Sequence, residues 1–546
     1  MPDANTSHAA GHDALIIGAG FSGLYQLHAL RDRLGLSVKI LEAGDGVGGT
    51  WYWNRYPGAR CDSESHSYTY TFDEALLREW EWSERYPDHV EIRRYLNHVA
   101  DRFDLRRDIR LSTRVTDARW DDAARLWRVT TEAGERLTAT YLITAVGCLS
   151  TANVPKIPGL ESFAGQWFHT GEWPHEGVDF AGKRVGLVGT GSTGIQAAPV
   201  IAAAAKHLTV FQRTANYSVP ARNAPLTPEF KAWLRENHHE VVRVMHSNTN
   251  GHPFTIADRS ALEVTPEERL ALFEAAWEKG GLQFRSTFSD LLTSMEANKT
   301  AAEFLKGKIR SVVKDPTTAE KLAEIDHPYA AKRPPIDSDY FETFNRDNVG
   351  LVDVRAAPIE RITPTGIATK DAEYPLDIIV FATGFDAMTG PLLRIGIHGR
   401  DGLPLSEAWE AGPRSYLGLG VAGFPNLFTV TGPGSPSVLC NMPVAIEQHV
   451  DWVTDCIAHL RAKGVETIEA LPEAADRWVE EVNQAAASTL LPQASSSWYL
   501  GANVPGKPRV FMPYAGGMAH YRGICDRVAT QNYEGFALRT SANARV

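Results

Sequence analysis

The sequence predicts an α/β fold in which one unit, an apolar strand running into a glycine-rich loop and then a helix, is used twice, with helices inserted into the second use. Three observations carry this. Ala14 to Ile17 is an apolar strand ending directly in GAGFSG (Gly18 to Gly23), and Leu24, Leu27, His28, Leu30 and Leu34 follow at helical spacing. KRVGLVGTGSTGIQ repeats the arrangement, with glycines at Gly189, Gly191 and Gly194. From about Leu226 to Ile325 the chain turns to helical periods with polar interruptions. Glycines at such a turn let the backbone approach a pyrophosphate at a helix N-terminus, so the units read as two Rossmann-like dinucleotide-binding domains with a helical insertion.

The first domain is expected to open with residues 1–151. After its glycine loop, SVKILEAG is a second strand ending in Glu42, a carboxylate placed to accept hydrogen bonds from a ribose diol. Gly18, Gly20, Gly23 and Glu42 are therefore its expected cofactor contacts. GDGVGGTWYWNRYPGARCDSES follows, without helical or strand period and too aromatic for a solvated linker. It is read as a loop lying over something flat, an isoalloxazine ring with Trp51 beside it. Asp62 reads equally as a turn or helix-cap residue or as a site carboxylate. Arg125 to Thr131 and Tyr141 to Ala145 are expected strands, and Pro155 and Pro158 break regular structure at the domain boundary.

Residues 152–221 begin the second domain. FAGQWFHTGEWP (Phe163 to Pro174) lies ahead of its glycine loop, a hinge position, with Gly165 and Gly171 flanking His169. A lone histidine there is read as a hydrogen-bonded post and not as a proton-transfer group. Gly189, Gly191, Ser192, Thr193, Gly194 and Gln196 are the expected cofactor contacts of this loop and its helix. LTVFQRT, the second strand, ends in Arg213 and Thr214 where the first domain has an acid, the change expected for a ribose 2′-phosphate and hence for NADPH over NADH. The plainer reading of Arg213 is an exposed arginine with no ligand.

Residues 222–330 form the insertion, expected to wall a substrate site. In TPEERLALFEAAW, Thr265 is an N-cap, Pro266 the first helical residue and Glu268 the closure of a capping box, with Leu270, Phe273, Ala276 and Trp277 as the apolar stripe. Asp315 before Pro316 is a second helix start. The insertion offers no acid, histidine or cysteine cluster that demands chemistry, and no metal is expected. Residues 331–385 return to the second domain through Lys332 and Arg333, with Ile378 to Phe381 as a buried strand, and residues 386–546 rejoin the first.

A formal charge of −11 argues against nucleic acid or an anionic membrane as partner. The first residues, MPDANTSHAAGHDA, read as a frayed tail and not a secretory signal, and no apolar run is long enough to span a bilayer, so a cytoplasmic location is expected. Cys61, Cys148, Cys440, Cys456 and Cys525 lack the spacing of a zinc site or a redox dithiol. No obligatory protein partner is inferred.

Two dinucleotide folds, one with an acid and one with an arginine at the ribose, suggest FAD held permanently and NADPH delivering hydride to it. A disulfide reductase would need a cysteine pair that is missing. A nucleotide sensor would not need so many aromatic and basic residues around the flavin. Reaction with dioxygen and oxygenation of a bound substrate remains.

The stretch Phe163, Gly165, His169, Trp173, Pro174 fits FxGxxxHxxxWP and resembles the identifying sequence of the Baeyer-Villiger monooxygenases. WYWNRYPGARCD, VFQRT, Lys332 with Arg333, ATGFD, GPGSPS and SWYLGANVPGKPR also resemble that family, in its phenylacetone, steroid and cyclopentanone branch, over essentially the whole chain. The resemblance implies that Arg333 lies over the flavin and stabilises a flavin peroxide and the adduct it forms with a ketone, giving an ester or lactone. It implies further that Asp62 orients Arg333, that Lys332 joins Arg213 and Thr214 on the NADPH phosphate, and that Trp498 binds the nicotinamide ribose through its indole N–H. Ser437, Leu439, Cys440 and Met442, on the loop after GPG, are the implied substrate contacts. From the residues alone, Trp498 reads as core packing and Arg333 as a domain-interface ion pair, and oxygenation of sulfides or amines is the alternative chemistry.

Overall fold

The computed structural model describes residues 11–540. Most of the expected N-terminal tail falls outside those residues, but Gly11–Ile17 is already a strand, paired with Arg136–Thr144 from Gly11 onward. The backbone ladder, which needs no apolar side chain, starts ahead of the apolar run.

Among the described residues the first sheet has eight strands, and Gly11–Ile17 lies in its parallel part between Val38–Leu41 and Arg136–Thr144. An antiparallel meander of Val115–Asp121, Leu126–Thr131 and Arg136–Thr144 extends it. The expected strands are thus part of a longer run: Arg125 belongs to the turn, with φ of 53°, and Tyr141 to Thr144 is the end of a strand begun at Arg136. Leu427–Thr429 and Ile397–His398, from the last third of the chain, also join this sheet.

The second sheet has, among the described residues, five strands, all parallel, with Arg184–Val188 between His207–Gln212 and Ile378–Phe381. Such strands are buried on both faces and read as continuous apolar runs, as IIVF at Ile378–Phe381 does. The fingerprint stretch contributes an edge strand, Gln166–His169, so it is anchored in this sheet and not a free linker.

Between residues 222 and 330 the helices are Pro228–Ser247, Pro266–Lys279, Met295–Val312 and Pro316–Ala323. Asp315 caps the last as expected, accepting from the Thr318 amide at 2.8 Å. Thr265 likewise caps Pro266–Lys279, but Glu268 leaves the capping box open and pairs with Arg259 at 2.7 Å. Phe273 and Trp277 are buried as expected; Leu270 is 53% exposed, because the stripe facing the core is narrower than its spacing suggested.

Candidate active site

Both glycine loops leave the C-terminal end of a central strand that has the next parallel strand of its sheet on one side and a strand from much later in the chain on the other, the point where an open parallel sheet forms a ligand crevice. Gly18 and Gly189 have φ of 105° and 113°, which a side chain would strain. A Cβ on Gly23 or Gly194 would stand 1.9 or 2.1 Å from the carbonyl oxygen of Gly18 or Gly189. Among the described residues, the amides of Gly20, Phe21 and Ser22, and those of Gly191, Ser192 and Thr193, make no hydrogen bond to protein. They stand at the N-termini of the helices Phe21–His28 and Ser192–Ala204, the donor set a diphosphate needs. Each loop therefore fits one dinucleotide.

Glu42 closes the first loop from below. Its carboxylate accepts from the amides of Ala19 and Gly44, both at 2.7 Å, and burial pushes its pKa up against these two bonds. Trp51 is buried in a short helix, Thr50–Trp53, and its indole N–H reaches the Tyr68 hydroxyl at 3.2 Å. The segment expected to lack regular structure thus contains one helical turn, too short to leave a period in the sequence. In the second lobe Arg213 follows directly on the strand His207–Gln212 and is exposed, while the Thr214 carbonyl accepts from Thr190 at 2.7 Å.

The two stretches by which the chain passes between the lobes run side by side, Ala152 and Phe385 forming a bridge and the Asn153 amide donating to the Gly384 carbonyl at 3.0 Å. His169 sits at this junction, 2% exposed, edge-on to Phe385, with Nδ1 accepting from the Gly171 amide at 3.0 Å. Burial lowers its pKa to about 4, so the ring is neutral at pH 7 with its proton on Nε2.

Arg333 and Asp62 face each other, Nε to Oδ2 at 3.3 Å. Arg333 Nη1 also lies 3.4 Å from the carbonyl of Val438. The Asp62 side chain is 10% exposed and that of Arg333 28%. Burial pushes the Asp62 carboxyl up and Arg333 opposes it; burial works against the Arg333 charge too, but Asp62 holds it above the ordinary value. Gln196 supports the pair from the second lobe: Nε2 donates to the Arg60 carbonyl at 3.0 Å and to Asp62 Oδ1 at 3.4 Å, and Oε1 accepts from Tyr56 at 2.8 Å. Expected as a cofactor contact, Gln196 has its amide engaged in fixing Asp62.

Lys332 donates to Ser496 at 2.8 Å, which ties the insertion's return to the tail loop carrying Trp498. Burial, with Arg213 nearby, lowers its pKa. Trp498 packs against Tyr499 at 4.5 Å and its indole N–H has no partner among the described residues. Ser437 and Cys440 are buried and Leu439 partly so, on a turn in which Ser437 is held at φ of 38°, and the partly buried Met442 opens the helix Met442–Lys463.

Sequence reasoning missed two members of this site. The Val438 carbonyl is a backbone acceptor and leaves no mark in a sequence. Arg285, in the short helical turn Leu282–Ser286, makes no ion pair or hydrogen bond among the described residues; burial, then the charge of Arg333, lower its pKa. A lone arginine inside an insertion read as a wall gave no signal. All five cysteines are free and buried.

A family model described as pyridine nucleotide-disulphide oxidoreductase matches residues 15–266. The chain is 45% identical to a Baeyer-Villiger monooxygenase of Pseudooceanicola batsensis over 96% of each chain, and 42% identical to a phenazine N-monooxygenase of Lysobacter antibioticus over 98% of each. Among solved structures it resembles an oxidized steroid monooxygenase bound to NADP, with a TM-score of 0.92, 52% identity and 97% and 99% of the chains covered. It also resembles OTEMO in complex with FAD and NADP, with a TM-score of 0.94, 44% identity and 97% and 100% coverage. The chain belongs to the Baeyer-Villiger monooxygenase family.

Proposed function

We propose that the chain converts a ketone, dioxygen, NADPH and a proton into an ester or lactone, NADP and water. The observation that supports this most is the partly buried Asp62–Arg333 pair, a fixed guanidinium at the meeting of both lobes and the substrate loop. FAD, when bound, accepts the hydride and supplies the reaction with dioxygen. The protein's residues do the rest.

Gly18, Gly20, Gly23, Glu42 and Trp51 hold FAD in the lobe of residues 1–151 and 386–546. Gly189, Gly191, Ser192, Thr193 and Gly194 hold the NADP diphosphate in the lobe of 152–221 and 331–385. Arg213, Thr214 and Lys332 take its 2′-phosphate, and the Trp498 indole N–H its nicotinamide ribose. Arg333 stabilises negative charge developing on the carbonyl oxygen; guanidinium suits this because it stays charged when desolvated. Asp62 orients Arg333, and Gln196 orients Asp62 across the lobe boundary. His169, neutral, is a post that couples lobe movement to NADP binding. Ser437, Leu439, Cys440 and Met442 shape the ketone pocket, with residues 222–330 as its wall. No helix among the described residues is long and apolar enough to cross a membrane, and the net charge of −11 suits a cytoplasmic enzyme without nucleic acid.

A second reading, oxygenation of amines, rests on the similarity to the phenazine N-monooxygenase. The test is NADPH consumption with linear, cyclic, aryl and steroidal ketones beside a sulfide and an aromatic amine, scored by product mass. Ester or lactone from at least one ketone is the expected result. Oxygenated sulfide or amine with no ester from any ketone would overturn the reading.

A further inference from the structure

The insertion also meets the first lobe at a contact that involves none of the residues assigned above. Glu74 opens the helix Glu74–Glu79, whose Leu76 is buried in the first lobe's core, beside the middle of Pro228–Ser247. Oε1 of Glu74 lies 3.3 Å from Nε2 of His238 and 3.3 Å from Nε2 of His239. The three atoms are all within 4.8 Å of one another. Two members are neighbours in the insertion's own sequence; the third arrives from a distant segment.

His238 is 8% exposed, and its Nδ1 is 3.1 Å from the Arg235 carbonyl. The proton therefore belongs on Nδ1, and Nε2 turns its lone pair toward the Glu74 carboxylate. That nitrogen has no hydrogen-bond partner despite the oxygen 3.3 Å away, and His239 makes no hydrogen bond to Glu74 either. A lone pair facing an anion is repulsive, and a bridging proton would place the oxygen on the N–H axis. A tetrahedral cation does otherwise. With bonds of about 2.0–2.1 Å it sets the N···O edge at about 3.3 Å and puts the oxygen about 35° off the nitrogen's axis. The observed edges have that length. A backbone carbonyl on the opposite ring nitrogen is also what orients a metal-binding histidine.

The geometry points to a divalent cation of the zinc class bound by Glu74, His238 and His239, with water as fourth ligand. The exposed side of the site, where the Glu74 and His239 side chains are 48% and 72% accessible, admits both ion and water. Arg78 contacts the same Glu74 oxygen and is itself mostly exposed, so it yields that position on binding. The bound ion staples the insertion helix to the first lobe.

The test is calorimetric titration of the purified enzyme, dialysed against EDTA, with zinc chloride, alongside thermal unfolding with and without zinc. The expected result is saturable binding of one ion per chain and a rise in thermal midpoint. His239→Ala and Glu74→Gln, both changes at exposed side chains, should each weaken binding by at least about ten-fold and abolish the rise. Absence of saturable binding, or binding that both variants leave unchanged, would overturn the proposal.

Discussion

The two glycine-loop lobes share a backbone plan and differ in how far the rest of the chain closes over them. A Cβ on Gly20 would stand 3.2 Å from Gly49 Cα, whereas at the matching Gly191 nothing lies within 4 Å. Glu42, at the end of the first lobe's second strand, is 5% exposed and held by two backbone amides; Arg213, at the equivalent place in the second, is exposed. The difference comes from the segment carrying Gly48, Gly49 and Trp51, which folds back so that the Gly48 amide reaches the Ala19 carbonyl at 3.0 Å. A covered loop suits a cofactor kept for the life of the enzyme. An open one suits a cofactor exchanged at every turnover.

The largest effects should come from the last glycine of each loop. Gly23→Ala puts a methyl group against a backbone oxygen in the covered lobe, and the purified protein should lack flavin absorbance. Gly194→Ala makes the same clash in the open lobe, and should yield a yellow protein that NADPH no longer reduces. Loss of flavin from both would break the comparison.

The junction supplies the next test, because His169 belongs to the second lobe only. Its pKa falls from 6.5 to about 4 on folding. As pH drops through that window the unfolded chain takes up a proton that the native chain refuses. Its contribution to stability is therefore complete above pH 6.5 and is lost progressively toward pH 4, by up to about 3 kcal/mol. His169→Asn should flatten the pH dependence of the urea midpoint over this range. An unchanged slope would show that the ring is not held neutral.

Arg213→Ala should raise the apparent KM for NADPH about ten-fold or more, the loss of one charge-assisted contact worth about 1.5–3 kcal/mol. The KM for NADH and the bound flavin should not change. The smallest effect is expected for Leu270→Lys on the insertion, within about 0.5 kcal/mol by urea denaturation, since that side chain is exposed.

Leu270 also shows where the sequence stops being legible. Spacing identifies a helix and its approximate face, but which edge of the stripe is covered depends on neighbours contributed by other segments. The strand, loop and helix units were readable because glycine spacing and apolar runs are local. The antiparallel meander that widens the first sheet was only half readable: Val115–Asp121 carries Asp117, Arg119 and Asp121, and its pairing partner decides its state. In the site, Asp62 and Arg333 could be named from motifs, whereas the Gln196 brace and the Val438 carbonyl follow from how two lobes meet. Arg285 had no motif at all.

The central claim is that the guanidinium of Arg333 directs oxygen into a ketone where the two lobes meet. It is tested by mixing NADPH-reduced enzyme with dioxygen and a ketone that the wild type accepts, following flavin absorbance by stopped flow and measuring product mass. Arg333→Ala should still be reduced by NADPH at a measurable rate. Its ester yield should fall by a factor on the order of one hundred to one thousand, about 3–4 kcal/mol for a lost oxyanion donor, with hydrogen peroxide released instead. Arg333→Lys should not restore the ester, because a point charge cannot replace the planar fork. Normal ester yield from Arg333→Ala would contradict the account.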